Sequence, residues 1–147
     1  MNLKNIFVSM VLIVSIVGCW FVDYEDVSHE KEYSALVGER FTTLTDLQIN
    51  GVTMDRNYKK QIDLYTIYVL PGFSGPEVVS SEILKSGTDF EILKVLRCTN
   101  CLFENRVEIV IKITSNNKYN NAPVEISYDY FKSEGKKIFE QLIKANT

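Results

Sequence analysis

Val107-Glu108-Ile109-Val110-Ile111-Lys112-Ile113 decides the fold class. Val107, Ile109, Ile111 and Ile113 alternate there with Glu108, Val110 and Lys112. Successive side chains of an extended chain point to opposite faces, so a period of two lays one apolar row on a core. Val124, Ile126, Tyr128 and Tyr130 repeat the pattern against Glu125, Ser127 and Asp129. Residues 62–70 (IDLYTIYVL) are β-branched and aromatic, with both alternating rows partly apolar, as for a strand covered on both sides. Residues 90–97 predict a further strand, and residues 40–43 and 47–49 shorter ones. Turn chemistry separates them at Asn50-Gly51, at residues 71–76, at Ser86-Gly87 and across residues 114–123. Short strands at this spacing predict a mainly β domain, and closure into a small barrel would remove its exposed edges.

The period changes at the C-terminus. Ser133 is a candidate cap, and Ile138, Phe139, Leu142 and Ile143 share one face at helical spacing, with Glu140 and Lys144 paired on the other. A C-terminal helix is predicted over residues 132–145. The chain has 147 residues, 46% hydrophobic and 24% charged, with 7 Gly and 3 Pro, which suits one folded domain and excludes low-complexity classes. A net charge of −3 argues against a nucleic-acid partner, which calls for a basic patch.

The first residues read as an address. A short start carrying Lys4 leads into an apolar run, residues 6–17, broken only by Ser9 and Ser15. Then comes Ile16-Val17-Gly18-Cys19, which resembles the lipobox of bacterial lipoproteins: two aliphatic residues, Gly and an obligatory Cys. The resemblance implies cleavage between Gly18 and Cys19, a diacylglyceryl group on the Cys19 thiol and acylation of the freed amine. Residues 1–18 would then be the signal peptide, residues 19–35 a polar tether and residues 36–147 the β domain with its helix. The partner implied is a membrane, reached through covalent lipid in the cell envelope. Trp20, standing where an Asp would signal inner-membrane retention, favours the periplasmic side of the outer membrane in a Gram-negative cell. Two other readings stay open. Residues 6–22 carry no charge, which just reaches the roughly 17 residues needed to span a bilayer; the leader could also be an ordinary secretory signal.

Residues 23–32 (DYEDVSHEKE) suit a solvated spacer, with the single His29 facing water and a short helix possible from Ser28 to Leu36. Cys98-Thr99-Asn100-Cys101 allows three chemistries. A structural disulfide fits an oxidising, exported location. A redox pair lacks the helix N-terminus that activates a thiol. A zinc site has two of the four ligands it needs. Phe73, between Gly72 and Gly75, is a candidate contact residue on an exposed loop. Asp63, Asp89 and Glu91 fall on strands with nothing that pairs them for catalysis. No cofactor or metal is expected, nor any catalytic residue.

Glu82 to Ile92 (EILKSGTDFEI) is similar to a hairpin of bacterial SH3-like barrels: an aliphatic residue, a polar pair, Gly-Thr, then an alternating strand. With residues 71–76 (PGFSGP) and 97–101 (RCTNC), this stretch resembles bacterial lipoproteins that carry such a domain. The resemblance implies a small SH3-like barrel and no activity. The functional expectation is a non-enzymatic envelope module that binds a protein or peptidoglycan. Alternatives are an envelope inhibitor or immunity lipoprotein directed at a basic hydrolase or toxin, and a thiol-disulfide protein built on Cys98 and Cys101.

Overall fold

The alternating rows form strands. The computed structural model describes residues 22–55, 57–58, 60–101 and 105–142. In chain order the elements are β1 (Tyr24–Asp26), β2 (Arg40–Thr43), β3 (Leu47–Val52), β4 (Leu64–Val69), β5 (Val78–Leu84), β6 (Asp89–Cys98), β7 (Val107–Ile113), β8 (Val124–Ser127), α1 (Tyr128–Ile138) and β9 (Phe139–Gln141). The chain is thus mainly β with one short helix among the described residues. The hydrogen-bonded path runs β5-β3-β4-β8-β7-β6-β2-β9, with β1 also on β6. All these pairings are antiparallel except β4 with β8.

The predicted barrel does not close: β5 and β9 end the path and do not pair with each other. The sheet instead covers one main core cluster. Leu47, Ile49, Phe90, Ile92, Ile109, Ile113 and Ile126 are fully buried there, drawn from β6, β7 and β8 in the sheet's middle and from β3 near its end. Stacked and edge-on rings (Phe41, Phe90, Phe131 and Phe139) join α1 and β9 to that core.

The expected hairpin over residues 82–92 is also corrected. β5 pairs with β3 and β6 with β7, β2 and β1, so the segment 85–88 crosses between separate parts of the sheet. The β2–β3 connection makes the same crossing, and Thr43 stitches the two together. Its Oγ1 donates to the Lys85 carbonyl (3.0 Å) and accepts from the Thr88 amide (3.1 Å). Gly87 turns there at φ +81°, a conformation that glycine adopts without a Cβ penalty.

Three boundaries differ from the sequence reading. Asn50-Gly51 is not a turn but the middle of β3. Asn50 is fully buried and donates through Nδ2 to the Phe73 carbonyl at 2.7 Å, which provides the partner a buried amide needs. The helix spans Tyr128–Ile138, not residues 132–145, because Phe139 turns extended (φ −127°, ψ 137°) and pairs with Thr43 of β2. Ser133 is no cap; its Oγ donates to the Tyr130 carbonyl.

The expected tether joins the folded body from Tyr24 onward. β1 lies on the C-terminal half of β6, with Tyr24 opposite Cys98. Val27 and Tyr33 are buried in a second cluster with Val95 and Val107. Arg97 grips Glu30 through two hydrogen bonds of 2.7 and 2.6 Å. In place of a helix from Ser28, successive turns link Glu30 to Val27, Tyr33 to Glu30 and Leu36 to Tyr33. His29 is exposed.

Candidate functional site: a polar cleft on the outer face

β4, β8 and β7 lie side by side. Tyr65, Ile67, Val124, Ile126, Ile109 and Ile111 fill the core, so the alternate residues Thr66, Glu125 and Glu108 stand on the opposite face. Thr66 is the register partner of Glu125, and Glu125 is opposite Val110, two register positions along from Glu108 and Ser127 and on the same face. The start of α1 and the residues before β7 wall this face into a cleft of about 770 Å³ that also includes Tyr68, Arg106 and Tyr130.

Its electrostatics follow from burial. Glu108 is only 6% exposed, and Arg106 Nε donates to its Oε1 at 2.6 Å. That bond lets Arg106 keep its charge although burial works against it. Glu125 has its pKa raised, first by burial and then by the Glu108 charge, with Arg106 and Lys94 pulling the other way. Tyr24 of β1 has its pKa raised, first by burial, with Arg106 pulling it down and Glu108 and Glu125 adding to the rise. The cleft therefore holds one ion-paired carboxylate, Glu108, and a second carboxyl, Glu125, whose pKa burial raises.

Among the described residues, two buried side-chain oxygens have no hydrogen-bond partner, Thr66 Oγ1 and the Tyr130 hydroxyl, and both residues belong to this cleft. The Val69 amide approaches Tyr130 without forming a bond of ordinary geometry. A buried polar group left unsatisfied costs about 1–3 kcal/mol.

The residues singled out in the sequence lie elsewhere. Phe73 sits on a pinned loop: its carbonyl accepts from Asn50 and Gln48, and its ring, 45% exposed, lies 6.3 Å from Tyr68. Cys98 and Cys101 are joined at disulfide distance, with Cα atoms 5.8 Å apart, in the turn after β6. Asp63 is engaged by Thr53, Met54 and Gln61. Gly18 and Cys19 lie outside the described residues. A second, apolar groove of about 510 Å³ runs between α1 and β9 over Phe41, Phe131 and Phe139. Among the described residues no helix is long and apolar enough to cross a membrane, and no group of three His, Cys, Asp or Glu is placed to hold a metal. Compared with known proteins, the chain matches no family model, no curated sequence and no solved structure.

Sequence reasoning missed Glu108, Glu125, Arg106, Thr66 and Tyr130 as a group. The alternation put the two carboxylates on the outer rows of their strands, with Arg106 two residues before Glu108, but only the β4–β8 pairing brings Thr66 to them and only the turn of α1 brings Tyr130.

Proposed function

We propose that the chain is a lipid-anchored protein of the bacterial cell envelope, its folded body a non-enzymatic binding module for a protein or peptidoglycan partner. The anchor reading rests on Ile16-Val17-Gly18-Cys19 after an apolar run. The binding reading is carried by one observation: the two orphaned buried hydroxyls share a cleft with Glu125 and the Arg106–Glu108 ion pair. Polar groups that folding leaves unsatisfied are groups that a partner can satisfy. An SH3-like kinship is carried no further than the Ser86-Gly87-Thr88 turn, since the strands on either side of it do not form the hairpin of that family.

Two measurements test this. Intact mass of protein made with its leader should give a chain that begins at a diacylglyceryl-modified Cys19; an intact leader or a bare thiol overturns the anchor. Thr66→Val should raise stability by about 1 kcal/mol, since it deletes an unsatisfied hydroxyl in a similar volume. Tyr130→Phe should act in the same direction. Together they should weaken retention on insoluble peptidoglycan or on the envelope partner. Unchanged retention by the stabilised double variant overturns the cleft as the binding surface.

A further inference from the structure

The N-terminal end of the folded body is fixed at one place. The Asp23 amide donates to Asn100 Oδ1 (2.9 Å), and the Asp23 carbonyl accepts from the Thr99 amide (2.9 Å) and hydroxyl (3.2 Å). Tyr24 then pairs with Cys98. The turn that receives Asp23 is closed by the Cys98–Cys101 bridge, so both sides of this junction are tied down.

Only Trp20, Phe21 and Val22 separate Cys19 from Asp23. Fully extended, the four steps from Cys19 to Asp23 span at most about 14 Å. None of the three is polar, and a large aromatic such as Trp favours the membrane–water interface. Val22 is 52% exposed.

From this we infer that the turn carrying Thr99 and Asn100 is the bilayer-facing end of the body, held against a lipid surface by Cys19 and the Trp20-Phe21-Val22 segment. The inference rests on the lipid reading of Cys19. The acids Asp23, Glu25 and Asp26 crowd this end, so the attraction is apolar, not an attraction to anionic headgroups. The opposite end of β6 leads back to the Lys85–Gly87 turn, roughly 30 Å away along a ten-residue strand.

The test uses the full-length protein, purified in lipidated form and reconstituted in phosphatidylcholine vesicles that carry a headgroup quencher. A fluorescent amino acid is introduced at Asn105 or at Ser86, both exposed. Trp20, the single tryptophan, reports on the linking segment without any label. The expected result is strong quenching of Trp20 and of the probe at Asn105, with the probe at Ser86 near its unquenched level. Eight Gly/Ser residues inserted between Val22 and Asp23 add roughly 16 Å of flexible reach and should abolish the quenching at Asn105 while leaving Trp20 quenched. Equal quenching at Asn105 and Ser86 in a chain whose mass shows the lipid overturns this inference alone. A chain without lipid overturns the anchor reading and this inference with it.

Discussion

Two glycines make opposite demands on their surroundings. Gly51 sits inside β3, where an added Cβ would come within 2.5 Å of Ser80 Oγ and 2.7 Å of Ile62 Cδ1. In a strand, glycine marks such a close approach. Gly51→Ala should therefore destabilise the protein by about 1–3 kcal/mol, read as a lower midpoint in urea with an unchanged slope. Gly135 lies inside α1, and its Cβ would meet Phe139 and Phe131 at 3.8–4.0 Å, which is ordinary contact. There alanine removes the helix penalty of glycine and fills space, so Gly135→Ala should stabilise by about 0.5–1 kcal/mol in the same titration. Asn50-Gly51 also shows why the sequence misled at this point. The dipeptide is a strong turn signal in isolation, yet Asn50 finds the Phe73 carbonyl and Gly51 admits Ser80, contacts that exist only once β5 and the 71–76 loop have arrived.

At the scale of elements, legibility follows the range of the interactions. β7 and β6 were readable because each carries a local row of apolar residues, and Phe90, Ile92, Ile109 and Ile113 of those rows are deeply buried. The end of α1 was not. Ile138, Phe139 and Leu142 fit a helical stripe, but Phe139 gains more as a strand residue that pairs with β2 and stacks on Phe131. Edge pairing of that kind is a tertiary contact, and it overrides local periodicity. The turn between β6 and β7 shows the converse: Cys98 and Cys101, for which a structural disulfide is one of three readings, close a four-residue loop. Constraining so short a loop contributes about 2 kcal/mol in the entropy model. The double variant Cys98→Ser, Cys101→Ser should lose that much stability by denaturant titration while keeping its partner binding. Intact folding with binding abolished would instead mark the pair as the working part of a thiol-disulfide protein.

For the molecule as a whole, pH tests how the parts are held together. Glu30 is pulled below its usual value by hydrogen bonds from Arg97, Asp46 by Lys85 and Ser86, and Glu82 by Lys118 and Tyr119. Each pair joins segments distant in the chain: the N-terminal turns to β6, the β2–β3 crossing to the β5–β6 crossing, and β5 to the loop before β8. A carboxylate whose folded pKa is depressed contributes stability that is present above its unfolded value and is lost as pH falls through the folded one. These unfolded values are near 3.8 for Asp and 4.5 for Glu, so the losses accumulate from there downward. Glu125 acts with the opposite sign. Its folded pKa is raised by burial and by Glu108, so its contribution is complete below 4.5 and declines as pH rises through the folded value. The melting temperature should therefore fall steeply below pH 4, while Glu125 lowers it on the neutral side. Glu125→Gln separates the two effects: scanned by calorimetry from pH 3 to pH 8, it should leave the acid limb in place and raise the melting temperature at neutral pH. A variant that melts like the parent protein at neutral pH would mean that burial in the cleft does not raise the Glu125 pKa.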